Sequence, residues 1–537
     1  MFILTKNKNA LKVLEVYQAA FKTTTFNFGE IYSYSFLDYS LYWFSARPQD
    51  QLLIYNNGCI IGKKSFEDSY SNLPIESNEN MPEHTSSLLQ NSRLIIKENQ
   101  LFIEPNEVTG LYYDAEGSVS DFSILLAKLN HVLPDTKLLQ LLTAVGYFPG
   151  NLTLFNSIKR IPYLYGRNVT TREMVQISGF KFKKSDETKM VERLQEVIPQ
   201  SENQSLAMSG GLDSRFVLGV LLKQKIRPTL KSLKDKENPI VEELNKTLQL
   251  DYEKIEGEKE KAYHYTLMTD GRIYFRGGNY SRLYDKVEPN EILHTGLSIL
   301  PMNENSFASA WKKPGSIKTI YNDLIHYALL PRMPKNGFAE FQEPVNKHYM
   351  QEFLEKELAY GKEYLQFKTR KQWALWFYHL NRGLTWTFAH LQDTSFYVYP
   401  VFILGDKKAA EWGITSSAYS NFNKERLRRI NQKLFPKLPI DYSEGRPFRS
   451  KPLIKDHVGR IYNEYFKKLI SRFRQLKSDQ KQTTQTSWFD GIELTEAKNF
   501  SKFYKHSFSE LMENERESLR LRRTAVTLNN VLLFLEA

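Results

Sequence analysis

The chain has 537 residues, of which 41% are hydrophobic and 25% charged, the composition of an ordinary globular protein. That length exceeds a single hydrophobic core and predicts about two to four domains. No apolar run approaches the roughly 18 residues of a membrane span, and one cysteine, Cys59, excludes an internal disulfide framework and a thiolate zinc site. The opening Met1-Phe2-Ile3-Leu4-Thr5-Lys6 is too short an apolar stub for a secretory signal. With 13% aromatic residues arguing against disorder, a cytoplasmic, multidomain protein without a membrane span is expected. Lysine and arginine number 73 against 61 acidic residues, a formal net charge of +12 that calls for an explanation.

In chain order, residues 26–62 read as short strands with turn signals: Phe26–Gly29, Gln51–Tyr55 and Cys59–Ile61. The Asn56-Asn57-Gly58 step between the last two is a hairpin signal. Residues 66–91 are polar and read as a surface excursion; strand-like runs return at 93–96, 100–103 and 110–113, and helical spacing follows over 120–145. The character changes near the basic stretch Phe180–Lys184, after which Ser185-Asp186-Glu187 predicts a helix start. A helix to about 198, a strand over 205–209, a helix over 215–224, a strand over 229–233 and a helix over 239–249 follow, the alternation of a parallel sheet covered by helices. Beyond 310 the chain reads mostly helical, with aromatic residues such as Trp373, Trp376, Phe377 and Tyr378 at helical spacing. No internal repeat is present.

One segment carries chemistry. In Leu206-Ala207-Met208-Ser209-Gly210-Gly211-Leu212-Asp213-Ser214-Arg215 an apolar strand ends in a Ser-Gly-Gly turn, and a helix begins near Asp213-Ser214. Two glycines permit close backbone approach. The helix start offers unpaired N–H groups and a positive dipole end, which together make an anion site, and Ser209 and Ser214 add hydroxyls. A carboxylate beside phosphates is repulsive unless a cation intervenes, so Asp213 implies Mg²⁺ bridging it to a pyrophosphate. A lone Gly-Gly is only a tight turn, but the full Ser-Gly-Gly-x-Asp-Ser string between apolar segments is far more specific. It is not a Walker loop, because no Gly-Lys-Ser/Thr follows.

The string Ser209–Ser214 resembles the pyrophosphate loop of the ATP pyrophosphatases in the form used by asparagine synthetase and its relatives. A second stretch, Leu139–Gly150 with Gly146-Tyr147-Phe148-Pro149-Gly150, then Thr153-Leu154-Phe155 and Ile158–Pro162, is similar to the end of the N-terminal domain in that family. Gly110-Leu111-Tyr112-Tyr113 resembles its Leu-Tyr-Tyr strand. The resemblance spans most of residues 26–300 and, more weakly, 370–455. It implies an α/β and α+β protein. A glutaminase-like (Ntn-type) β-rich sandwich over 1–178 is followed over 179–537 by a parallel-sheet PP-loop synthetase domain with a helical C-terminal portion. It further implies ATP and Mg²⁺ as cofactors, a nucleotide site drawn from Met208, Ser209, Gly210, Gly211, Asp213, Ser214, Leu233, Thr295 and Gly296, and Asp213 as metal ligand. The expected activity is an ATP-dependent ligase that activates a small-molecule or peptide carboxylate as an acyl-adenylate for capture by an amine. Relatives include β-lactam synthetases and lasso-peptide macrolactam synthetases, so partner proteins of a biosynthetic cluster are a further expectation.

The chain departs from the family pattern at three places. Glutamine-hydrolysing members place a cysteine directly after the initiator methionine; Phe2 stands there, and Cys59 reads as a buried structural thiol, so no glutamine hydrolysis is expected. The family's Gly-x-Gly-x-Asp-Glu segment aligns with Thr295-Gly296-Leu297-Ser298-Ile299-Leu300-Pro301, which puts Leu300 and Pro301 where the second metal carboxylate belongs, with Glu304 nearby. Around Tyr397–Phe402 the glutamate and arginine before the proline are Phe396 and Val398, leaving Asp393 as acid-base candidate. His379, His390 and the nearby tryptophans read as packing groups. Finally, in Gly445–Pro452 the resemblance assigns Lys451, and after it Arg449, to the departing pyrophosphate.

Two other readings compete with the ligase. Leu300 and Pro301 motivate a catalytically weakened nucleotide-binding scaffold, and the charge motivates an RNA-modifying enzyme. The charge is local, however: residues 424–481 hold 17 basic and 6 acidic side chains, net +11. That distribution, and the N-terminal resemblance, argue against nucleic acid and for solvated helix faces or a positive rim at the synthetase cleft.

Overall fold

The computed structural model describes residues 1–22, 28–45, 50–55, 58–63, 92–104, 110–148, 150–162, 165–177, 186–199, 203–233, 238–255, 261–275, 291–296, 338–346, 348–349, 352, 388–406, 409, 411–412, 425–435, 492–513 and 519–537. Among the described residues twelve strands precede residue 178: β1 (Phe2–Thr5), β2 (Tyr32–Phe36), β3 (Tyr39–Trp43), β4 (Asp50–Tyr55), β5 (Gly58–Lys63), β6 (Ser92–Lys97), β7 (Gln100–Glu104), β8 (Tyr112–Tyr113), β9 (Val119–Ser120), β10 (Lys159–Arg160), β11 (Tyr165–Asn168) and β12 (Met174–Gln176). They form two six-stranded sheets, ordered β10-β8-β9-β1-β3-β2 and β12-β11-β7-β6-β5-β4, whose described pairings are all antiparallel.

β1 explains how the layers stack. All four of its residues are buried, as a strand covered on both faces requires. Phe2 and Leu4 face a core shared with Cys59, Leu94, Leu101 and Ile103 of the second sheet. Ile3, between them, points the other way, into a cluster with Leu14 and Tyr17 of helix α1 (Ala10–Ala20) and Leu125 of α2 (Ser123–Leu129). Sheet packs on sheet inside, and helices cover the first sheet outside.

The third sheet is parallel. Strands β13 (Gln204–Ala207), β14 (Thr229–Leu233), β15 (Tyr252–Ile255), β16 (Ile292–Thr295) and β17 (Tyr399–Val401) lie in the order β15-β14-β13-β16-β17. Helix α4 (Glu187–Glu196) precedes it, started by Asp186, whose carboxylate accepts from Thr188 N–H at 3.0 Å and Lys189 N–H at 3.1 Å. Helices α5 (Leu212–Lys223) and α6 (Asn238–Leu248) connect β13 to β14 and β14 to β15, confirming the alternation expected from the sequence. The molecule is therefore a mixed α/β protein with antiparallel sheets and a parallel sheet plus helices. No helix among the described residues is long and apolar enough to cross a membrane.

One apolar cluster crosses residue 178. Leu139 and Leu142 of α3 (Thr136–Val145) share it with Leu267 and Met268 of α7 (Ala262–Met268) and with Val531 and Phe534 of the C-terminal helix (Leu519–Glu536). α3 ends at Gly146, whose φ of +89° closes the helix in a left-handed cap, and a Cβ there would lie 2.4 Å from the Tyr274 ring. Gly146 and Tyr147 thus form a docking point, with Tyr147 bridging Ile273.

The short helix α2 is held at both ends by later residues. Its own N-cap, Phe122, makes no side-chain bond; Asp270 accepts instead from Ser123 Oγ at 2.9 Å and from Ile124 N–H at 3.0 Å. At the other end Lys128 Nζ donates to the carbonyls of Phe534 (3.0 Å) and Leu535 (3.3 Å). Burial pushes the Asp270 carboxyl up to about 6, with Arg272 and the two helix donors holding it down.

Candidate functional site

The Ser209–Ser214 loop is built from the end of β13 upward. Met208 N–H still pairs with the Lys231 carbonyl of β14 at 2.7 Å, and the chain then leaves the sheet. Ser214, buried, ties the loop: its hydroxyl donates to Ser209 O at 3.0 Å, sits 3.1 Å from Ser209 Oγ, and accepts from Ser209 N–H at 3.3 Å. Ser209 itself is exposed, and its Oγ receives the Gly211 N–H at 3.2 Å. Gly211 is the N-cap of α5 and supplies no side-chain bond to the first turn, in which Asp213 sits half-buried. The result is a helix start facing out of the sheet edge, with an exposed hydroxyl, a carboxylate and glycine backbone beside it.

The neighbouring strand closes the site from one side. Thr295 pairs with Ala207 in register, and Gly296 follows. A Cβ on Gly296 would lie 2.8 Å from both the N and Cα of Ser214, so only glycine lets the chain after β16 pass the first turn of α5. The Thr295 hydroxyl is buried without a hydrogen-bond partner among the described residues. Leu233 is the last residue of β14, on the other flank of β13. Because β14 and β15 lie to one side of β13 and β16 and β17 to the other, the strand order reverses between β13 and β16. The loop stands at that crevice, where open α/β sheets bind ligands.

Two buried polar pairs lie in the same sheet. Lys231 Nζ is 2.8 and 2.9 Å from the two carboxylate oxygens of Glu291, with both side chains buried. His294 is fully buried, and burial pushes it down to about 3. Gln204 Nε2 donates to the Pro199 carbonyl at 3.4 Å, so its Oε1, 2.7 Å from His294 Nε2, accepts, and His294 is the neutral Nε2–H tautomer. It holds two strands together and carries no charge near neutral pH.

The remaining candidates are placed apart. Asp393 is fully buried on helix α8 (Phe388–Thr394), which leads into the beginning of β17, whereas the loop lies where the parallel strands end. Its neighbour Gln392 accepts from Arg272 Nη2. Phe2 and Cys59 share the core between the two antiparallel sheets, and burial pushes the Cys59 thiol up to about 12, so neither position presents a nucleophile. His390 is half-buried, its ring tilted against Tyr265 at 6.4 Å. Leu300, Pro301, Glu304, His379, Arg449 and Lys451, together with Trp373 and Trp376, lie outside the described residues.

Within the basic region, helix α9 (Glu425–Leu434) buries Leu427 and Ile430 while Arg429 and Lys433 are exposed, the ordinary amphipathic arrangement. Sequence reasoning overlooked Arg215, directly after the motif, which is buried and donates from Nη2 to the Gly210 carbonyl at 3.1 Å. The pairing of Gly296 with Ser214 joins segments too distant in the chain for any local pattern to reveal. No protein-family model matches the chain, and no curated protein matches it either.

Proposed function

We propose that this protein is an asparagine-synthetase-like ATP pyrophosphatase: an AMP-forming ligase that joins a substrate carboxylate to an amine without using glutamine. The observation that carries this reading is the Ser209–Ser214 loop at the reversal point of a five-stranded parallel sheet, with Gly296 pressed against its helix start. The preceding two-sheet sandwich accords with a glutaminase-type (Ntn-type) ancestry, and burial of Phe2 and Cys59 accords with loss of its nucleophile.

The chemistry fits such a loop. A carboxylate is a poor electrophile; its oxygen attacks the α-phosphorus of ATP, the bond to the β-phosphate breaks, and pyrophosphate leaves. The amine then attacks the acyl carbon, gives up its proton, and AMP departs. Backbone N–H groups at the start of α5 and the exposed Ser209 hydroxyl bind the β,γ-phosphates, with Met208, Leu233, Thr295 and Gly296 framing the nucleotide. Among the described residues no group of three or more metal-ligating side chains exists. One half-buried carboxylate beside a phosphate site suits Mg²⁺, which takes one or two carboxylates and completes its shell from phosphates and water. Asp213 would be its ligand here, and the bound ion would supply positive charge to the departing pyrophosphate. Lys451 and Arg449 are assigned the same leaving group on the family resemblance alone. The substrate is a carboxylate on a peptide or small metabolite, macrolactam formation being the form in which the amine lies on the same molecule. A cytoplasmic location belongs to this reading.

The test is carboxylate-dependent exchange of labelled pyrophosphate into ATP. Exchange is expected in the wild-type protein and to fall about 100-fold or more in Asp213→Ala, the loss typical of a group that stabilises transition-state charge. Undiminished exchange in that variant overturns the site. Leu300 and Pro301 favour a second reading, a nucleotide-binding scaffold, which retained Mg·ATP binding without exchange for any carboxylate would support.

A further inference from the structure

We propose that Arg215 is the positioning residue of the phosphate loop, turning the Gly210–Gly211 peptide so that its N–H faces the bound polyphosphate. This rests on the nucleotide-loop reading above and goes beyond it by assigning the group that orients the backbone donor. Arg215 is the fourth residue of α5, and helix side chains lean toward the N-terminus, so a long side chain there bends back under the preceding turn. Its exposure is 2%, and Nη2 donates to the Gly210 carbonyl at 3.1 Å. A buried guanidinium stays protonated and is costly to desolvate unless it is hydrogen-bonded, so its placement beneath a solvent-facing turn calls for a purpose.

Peptide planarity supplies the link. In a trans peptide the C=O and the following N–H point in opposite directions. With the Gly210 carbonyl drawn inward to Arg215, the Gly211 N–H is turned away from the protein interior. It meets Ser209 Oγ at 3.2 Å, an exposed hydroxyl that a phosphate oxygen can replace. Glycine at both positions adds no side chain that would fix this peptide, and the guanidinium favours the orientation observed. The same cation adds positive potential behind the loop, in the direction that favours an anion.

Equilibrium dialysis with Mg·ATP tests this on the full chain and on Asp213→Ala, Arg215→Met and Arg215→Lys, with each variant's melting temperature measured without nucleotide. The expected result is binding by the wild type, its loss in Asp213→Ala, a tenfold or greater loss in Arg215→Met, and partial recovery in Arg215→Lys, which keeps the charge and one donor. Binding by Arg215→Met within twofold of the wild type, alongside loss in Asp213→Ala, overturns the role of Arg215 and leaves the loop reading standing. Absence of binding by the wild type overturns both. Glycine-selective ¹⁵N labelling of the unmutated protein gives an answer independent of folding: pyrophosphate with Mg²⁺ must shift the Gly211 amide resonance, and a stationary Gly211 signal overturns the proposal.

Discussion

At the scale of single residues, the interior of the parallel sheet separates ionisable groups that bind from those that only brace. His294 sits one residue before Thr295 in the proposed nucleotide crevice, yet burial keeps it neutral to about pH 3. In the unfolded chain it takes up a proton near 6.5. Between those values the unfolded state holds the extra proton, so this residue's contribution to stability is present above 6.5 and is lost as pH falls toward 3. His294→Gln, which cannot titrate, is expected to be less stable than the wild type at pH 7. The gap should narrow by about 2 kcal/mol between pH 6.5 and 5, read as urea midpoints at the two values. A gap that stays constant with pH contradicts a neutral buried imidazole.

At the scale of elements, the helix α2 stands out because its ends belong to another part of the chain. Seven residues are too few for a helix to persist by propensity, so its termini need partners. Asp270 supplies them at one end and Lys128 finds them at the other. Asp270→Ala leaves Ser123 Oγ and the Ile124 N–H buried without their acceptor, and is expected to cost about 1–3 kcal/mol at pH 7. Hydrogen exchange should speed up first at Ile124 and Leu125; unchanged protection there refutes the cap. Other elements were legible from sequence because their signals are local. Thr229–Leu233 is a strand as expected, Asp186 starts its helix, and β4 and β5 pair antiparallel with Tyr55 opposite Gly58, as the hairpin signal predicted. β2 and β3 were not, since Tyr-Ser-Tyr-Ser alternates an amphipathic ring with a hydroxyl and carries no sharp apolar contrast. The helical spacing over 120–145 is carried by two helices, α2 and α3, with His131 at a positive φ of 53° between them.

At the scale of the molecule, the change of composition near residue 180 does not mark a break in packing. Leu125, Leu139 and Leu142 lie in one cluster with Met268, Val531 and Phe534. Full burial of such a side chain contributes about 1.5–3 kcal/mol, so withdrawing the later partners removes an amount comparable with the net stability of a whole domain. Residues 1–178 expressed alone are therefore expected to lack a cooperative melting transition and to bind a hydrophobic dye, while the full chain melts cooperatively; a sharp transition in the fragment contradicts the shared core. What the sequence conveyed of the candidate site was its chemistry: serines, glycines and a carboxylate in one short string. What it withheld was everything set by contacts across the fold. The pressing of Gly296 on Ser214, the inward turn of Arg215 and the position of Asp393 where strands begin all depend on which segments meet.

The clamp of Lys128 on the last turn of the C-terminal helix has a consequence for synthesis. Lys128 leaves the ribosome 406 residues before Phe534, whose carbonyl it clamps. Until then the apolar faces of α2 and α3 that pack against Leu519–Glu536 must wait in water, for as long as translation takes to reach that helix. A chain interrupted before that helix is therefore expected to expose these apolar faces, the kind of surface that makes incomplete chains prone to aggregation.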